Sequence, residues 1–219
     1  MLINKHYCFI FTGFYLFLTN ETGGEFMKEK ILDRRVRKTR MQLRRCLAAL
    51  LKEKKIQDIT VREITEMADL NRGTFYLHYK DVFDLLDQIE KELLAGLEAA
   101  LQKYQAAELQ KKPSLVFADV FQYAKDNADM VQILLGENGD LNFVNQVKEL
   151  VREKCLKDWL ELFQLRDSRG FDAYCAFIVS GSLGLVTYWL ENDMKESPEE
   201  LARICEEIML KGIQILTPR

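Results

Sequence analysis

The side chains best placed to do chemistry lie in one stretch, Thr60 to Tyr79, reading TVREITEMADLNRGTFYLHY. That chemistry is non-covalent. Arg72, Thr74, Tyr76, Leu77 and His78 fall on one face of a short predicted helix and include donors suited to phosphate oxygens and base edges. The surrounding residues supply the elements that would hold this face. Thr60 can cap a first helix, and Glu63 three residues on completes a capping box. Ile64 and Ala68, four apart, share its inward face. Asp69-Leu70-Asn71 supplies a turn, with Leu70 as a buried plug and Asn71 as cap of a second helix over residues 72–79, in which Phe75 points to the core. Two helices joined by a tight turn are a form in which a helix is presented to the DNA major groove.

The rest of the composition narrows the class. Of 219 residues, 48% are hydrophobic and 30% charged, which describes a folded globular chain. Eleven glycines and three prolines leave few breaks, and alternating β-branched patterns are scarce, so an all-α fold is expected. The net charge of −3 is unevenly spread. Residues 27–80 hold 15 Lys and Arg against 7 Asp and Glu, whereas residues 81–219 hold 15 against 25. A basic head on an acidic body fits a molecule whose head alone meets phosphate. An enzyme is not expected, because no Gly-rich phosphate loop, nucleophile elbow or metal-ligand spacing occurs and only two histidines, His6 and His78, are present. No cofactor and no metal are expected. The cysteines Cys8, Cys46, Cys155, Cys175 and Cys205 form no CxxC and read as reduced, mostly buried thiols of a cytoplasmic protein.

Residues 1–26 differ in character from the basic helical segment that begins at Met27. Tyr7 to Leu18 is apolar but too short to span a bilayer as a helix, and no small-residue cleavage site comes after it. Gly24-Glu25-Phe26 before Met27 is compatible with a ribosome-binding sequence, so residues 1–26 are expected to be a non-native or disordered extension. Residues 27–80 then form the DNA-binding head and residues 81–219 the helical body. In the head, Leu32, Val36, Leu43, Leu47 and Leu50 make one helical stripe, while Arg40 and Arg44 lie among the basic residues of the other faces, placed for phosphate contact. Asp81 caps a long helix that joins head to body and is broken at Lys111-Lys112-Pro113-Ser114. Further helices are expected over about 115–125, 128–135 and 140–165.

The last two predicted helices differ from the others. Residues 171–190 are apolar on nearly every face, with small residues in the middle that would let another helix approach. Ser197-Pro198-Glu199-Glu200 then starts a final helix with a broad apolar stripe. A membrane-tethered regulator is the weaker reading of that apolar stretch, since a well-capped polar-faced helix comes next. One subunit is not expected to cover both surfaces. A two-fold homodimer closed by a four-helix bundle is expected instead, with Val179, Leu183, Val186, Ile204, Ile208 and Ile215 as interface candidates.

With Thr60-Val61-Arg62-Glu63-Ile64, Ala68 and Gly73-Thr74-Phe75-Tyr76-Leu77-His78-Tyr79 followed by Leu85-Leu86, residues 34–88 resemble the N-terminal domain of TetR-type bacterial transcriptional regulators. The remainder is similar in layout only. The resemblance implies a helix-turn-helix domain followed by a larger helical domain for effector binding and dimerisation. It implies that Tyr76 and the helix start at Thr60 bind phosphates, that Arg72, Thr74, Leu77 and His78 face the groove, and that Gly73 allows close backbone approach. One departure matters: Val82 stands where the family commonly has a phosphate-binding lysine, a role that Lys80 could take over. The resemblance further implies a palindromic double-stranded DNA operator and a small, largely apolar effector in each subunit, with Tyr104, Phe117, Phe121, Phe143, Trp159 and Phe177 as candidate pocket residues. The reading is a cytoplasmic dimeric repressor released by that effector. The alternative is an activator answering to a protein partner, as in dihydroxyacetone kinase operons.

Overall fold

The computed structural model describes the backbone of residues 19–104, 106–136, 139–163 and 168–213, and the side chains of residues 34–104, 108–109, 111–136, 139–154 and 170–211. Among the described residues the chain is helical without strands, as its composition requires. By contacts it divides into residues 1–44 and residues 45–219, so the helix-turn-helix and the body helices fall in one unit.

Helix α1 (Thr19–Leu51) crosses that division. It begins inside the stretch expected to be an unstructured extension, because residues 19–26 continue the helical ladder without a proline to stop it. The remaining residues of that extension lie outside the described ones. In its last turns Leu47, Ala48, Leu50 and Leu51 are buried. A 3-10 turn (Ile56–Asp58) leads to α2 (Val61–Met67), and α3 (Arg72–Tyr76) comes after a tight turn. Ile64, Thr65, Ala68, Phe75 and Tyr79 are buried here, with the Phe75 and Tyr79 rings 5.6 Å apart.

Helix α4 (Val82–Gln102) starts on Asp81, whose Oδ1 accepts from the Asp84 amide at 2.8 Å. Its buried stripe of Val82, Leu85, Ile89, Leu93 and Leu97 keeps the three-and-four spacing expected of it. The helix stops earlier than expected. Lys103 is its C-cap and reaches across to Asp119 at 2.7 Å, and a separate short helix, α5 (Ala106–Lys111), fills the interval before Pro113.

Helices α6 (Ser114–Asp126), α7 (Ala128–Leu135), α8 (Leu141–Phe163), α9 (Ser168–Glu191) and α10 (Pro198–Ile213) complete the body. Asp140 caps α8 through the Asn142 amide at 2.7 Å, and Ser197 and Glu200 form a reciprocal box at the start of α10. The body's main core is Phe121, Ala124, Val186, Trp189, Leu190, Leu201, Ala202 and Cys205. Trp189 is fully buried, stands edge-on to Phe121 at 5.9 Å, and donates its indole N–H to the Glu196 carbonyl at 3.0 Å. A bulky aromatic is thus buried with its one donor satisfied. Gly96 permits a close crossing of α4 by α6, because a Cβ there would fall 2.2 Å from the Tyr123 hydroxyl, which donates to the Leu93 carbonyl at 3.1 Å.

Helix α9 was expected to be buried on two sides. Within this chain it is buried on one. By length and composition Gly170–Glu191 could cross a membrane, at mean hydropathy 1.5, yet Phe171, Tyr174, Cys175, Val179, Val186, Trp189 and Leu190 are buried within the body.

Candidate functional site

The candidate nucleic-acid interface rests on two caps and a turn. The Thr60 hydroxyl accepts from the Glu63 amide at 3.3 Å, and Glu63 Oε2 accepts from the Thr60 amide at 2.9 Å. Lys54 donates to the other oxygen of the same carboxylate. These bonds, that from Lys54 foremost and those from Thr60 next, hold the Glu63 carboxyl down at about 2. α2 ends in a paired-bond cap: the Leu70 amide bonds the Thr65 carbonyl at 2.9 Å and the Asp69 amide bonds the Glu66 carbonyl at 3.2 Å. Asp69 takes the left-handed conformation, φ 49°, that this cap needs. Leu70, whose amide closes this cap, is half-buried and not the plug expected of it.

Asn71 then caps α3, its Oδ1 accepting from the Gly73 amide at 2.8 Å. The helix is shorter than the expected 72–79. The His78 amide bonds the Phe75 carbonyl at 2.9 Å in a tightened turn, and the Lys80 amide is taken by Asp84 Oδ2 at 2.8 Å, which opens α4. The candidate residues are nonetheless brought together. Arg72, Gly73 and Lys80 are exposed, Thr74 and His78 are half-buried, Tyr76 is 57% exposed and Leu77 81%. Among the described residues, an 81%-exposed leucine beside a buried Phe75 has no packing role. Thr60 is exposed at the start of α2. Arg40 and Arg44, one turn apart on α1, are half-buried and lie in the other unit.

Val82 is buried at 4% exposure, so the position where the resemblance would place a phosphate lysine is a core position here. Phe83, apolar by type, stands outside the buried stripe at 57% exposure, next to Val82 at the start of α4. Its spacing accounts for this, because Phe83 is out of phase with Val82, Leu85 and Ile89.

A second feature lies in the body. A cavity of about 130 Å³ lies among α4 to α9, walled by Leu93, Leu97 and Leu101, by Leu109, by Phe117, Phe121 and Tyr123, by Val131 and Leu135, by Phe143, Val147, Val151 and Lys154, and by Ile178, Val179, Ser182, Leu183 and Val186. Of the expected pocket residues it gathers Phe117, Phe121 and Phe143. Tyr104 does not line it, since α4 ends before that residue, and Phe177 points to solvent at 69% exposure. Trp159 lies outside the residues whose side chains are described. Three interface candidates are also corrected: Val179, Leu183 and Val186 face this cavity. The sequence pattern of α9 gives the wrong phase, as happens where nearly every face is apolar. Its outward face is Phe177, Ser180, Gly181, Gly184 and Tyr188, with open space in front of both glycines. Ile204 and Ile208 on α10 are exposed at 44% and 51%, and Ile215 lies outside the described residues.

Cys46, Cys175 and Cys205 are buried free thiols. Burial pushes the Cys175 and Cys205 thiols up to about 11, which keeps them protonated and unreactive. Glu90, on the inner side of α4, is buried with Oε1 lacking a hydrogen-bond partner. Burial first, then Asp140 and Asp87, push its carboxyl up to about 7.

Residues 111–211 match a family model described as a transcriptional regulator C-terminal region. Over 172 residues the chain is 25% identical to YxbF of Bacillus subtilis strain 168, named as an uncharacterised HTH-type transcriptional regulator; the match takes in 77% of this chain and 44% of that protein, so the chain spans less than half of the relative's length. Among solved structures, a TetR transcriptional regulator from Streptococcus agalactiae 2603V aligns with TM-score 0.57 at 20% identity, over 83% of this chain and 98% of that one. The dihydroxyacetone kinase operon activator DhaS aligns with TM-score 0.55 at 17% identity, over 82% and 98%. At these identities the two structures speak for the fold alone.

Proposed function

We infer that this chain is a TetR-type transcriptional regulator, a reading supported by the match of residues 111–211 to a transcriptional regulator C-terminal region and by its fold, that it binds double-stranded DNA as a homodimer, and that it is released by a small molecule held in its body. The observation that carries the reading is α3. It is a short, doubly anchored helix that turns Arg72, Tyr76 and Leu77 to solvent while Phe75 pins it to the core. Such an element holds base-reading side chains in fixed register without contributing them to packing. Arg72 and Thr74 are assigned to base edges, with Leu77 and His78 beside them. Tyr76, Thr60 and Lys80 are assigned to phosphates; Arg40 and Arg44, in the other unit, are separately assigned to phosphates. Residues 27–80 serve as the DNA-binding part and residues 81–219 as the effector and dimerisation part of a cytoplasmic protein.

Dimerisation is supported by the open face of α9, where Gly181 and Gly184 leave room for another helix between Phe177 and Tyr188, and by exposed Ile204 and Ile208 on α10. The apolar cavity favours a small-molecule effector over a protein partner, because its walls are reached from within the helical body. An electrophoretic mobility shift on the DNA upstream of the protein's own gene tests the reading. A retarded band with a two-fold symmetric footprint is expected, lost steeply with added salt as several phosphate contacts require. Equal affinity for that fragment and for random DNA at every salt concentration would overturn it.

A further inference from the structure

Leu77 is the most exposed large apolar side chain among the described residues, at 81%. It stands at the C-cap of α3, a surface position where a polar residue would serve the fold equally well. Leucine there holds an apolar surface in water and offers no hydrogen bond. Local structure fixes where that surface sits. Leu77 keeps helical dihedrals, φ −69° and ψ −19°, and its amide bonds the Gly73 carbonyl at 3.2 Å, so it lies one turn beyond Gly73 on the same face. Thr74, three residues before it, shares that face. Gly73 leaves the surface beside the leucine bare, since even a Cβ there would meet only Asn71 Oδ1, at 3.4 Å. A partner can therefore reach the leucine from its side as well as its tip.

Chemistry limits what that partner surface is. A phosphate oxygen gains nothing from an alkyl group and loses water against it. The base edges in the major groove are hydrogen-bond donors and acceptors, with one apolar exception, the C5 methyl of thymine. Exposed Arg72 opens α3 and exposed Lys80 comes shortly after its end, cations that suit the phosphates bordering a groove and not the apolar face of a protein partner.

We propose that Leu77 is a specificity-determining residue that reads thymine, packing its isobutyl group on the C5 methyl of one thymine in each half of the operator. This rests on the reading of α3 as the DNA-facing helix. It adds the identity of a base and the kind of contact that selects it. Because that contact is apolar, its share of the affinity does not change with salt, unlike the share carried by phosphates.

The fragment upstream of the protein's own gene is amplified with thymidine triphosphate or with deoxyuridine triphosphate, which differ only in that methyl, and both products are titrated by mobility shift. Wild-type protein is expected to bind the uracil fragment at least fivefold more weakly, since one buried methyl is worth roughly fourfold and a dimer uses two. The factor should be the same at low and at high salt. Leu77→Ala is expected to melt as wild type does, to bind the thymine fragment about as weakly as wild type binds the uracil one, and to distinguish the two less than twofold. Leu77→Met keeps an apolar tip and should keep the preference. Phe83→Ala removes another exposed apolar side chain, at the start of α4, and should leave the preference intact. Equal binding of the two fragments by wild type, an undiminished preference in Leu77→Ala, or its loss in Phe83→Ala would each overturn the proposal while operator binding stands. Failure to retain the thymine fragment would sink both.

Discussion

Arg72 and Tyr76 carry little of the fold and much of the proposed interface, so they separate stability from binding. Arg72→Ala is expected to weaken operator binding by about 1–3 kcal/mol, the range of one good base contact, with an unchanged melting temperature. Tyr76→Phe removes only a hydroxyl at a 57%-exposed position and should give a smaller, sequence-independent loss. Both are read by fluorescence anisotropy at near-physiological salt, alongside thermal unfolding. Gly73 is more discriminating. A Cβ there would meet nothing closer than Asn71 Oδ1 at 3.4 Å, and alanine favours a helix over glycine by up to ~1 kcal/mol. Gly73→Ala should therefore hold or raise the melting temperature while reducing operator affinity at least several-fold. Unchanged affinity would place Gly73 away from the DNA.

Among the elements, α2 depends on the residue that caps it. Thr60→Ala removes the hydroxyl that accepts the Glu63 amide and should cost about 1 kcal/mol, a fall of roughly 2–4 °C in melting temperature. The Glu63 carboxylate, held low by Lys54 and Thr60, adds stability that is present above the ordinary carboxyl range and lost as pH falls towards about 2. Helix α4 carries the opposite case. Folding raises the Glu90 carboxyl from 4.5 to about 7, so the folded chain holds a proton that the unfolded chain has released. Its contribution therefore turns against the fold as pH rises from about 4.5 to about 7. Glu90→Gln should match wild type near pH 4 and melt several degrees higher at pH 8, as followed by circular dichroism. Parallel pH profiles of the two proteins would show that burial does not act on this group. The caps and turns of these elements were legible because Thr60-x-x-Glu63, Asn71, Asp81 and Ser197-Pro198 are local signals that bond within three residues of themselves. The end of α4 was not. No Gly or Pro marks it at Lys103, whose pairing with Asp119, sixteen positions away, is invisible to periodicity.

At the scale of the whole molecule, a homodimer should show twice the 25.6 kDa chain mass in light scattering at micromolar concentration. Ile208→Glu puts a charge on an exposed position of α10 and leaves the body's core untouched. It is expected to give monomers, with the melting temperature then independent of protein concentration and operator affinity lowered at least tenfold, because one head alone holds half the contacts. A dimeric Ile208→Glu protein would move the interface off this helix.

The amino-acid sequence by itself determined the helical class, the capping boxes and turn of the helix-turn-helix, and the exposure of Arg72, Tyr76 and Leu77 opposite a buried Phe75. All of these arise from bonds and periodicities spanning a few residues. Tertiary structure decided the rest. Val82 became core because α4 buries it. Val179, Leu183 and Val186 turned from an expected interface to a cavity wall because an all-apolar helix has no phase until its neighbours pack against it. Leu93, Phe117, Phe143 and Ile178, far apart in the chain, became walls of one cavity only when their helices packed together. A cavity is what several helices leave unfilled between them, and no single stretch of chain encodes it.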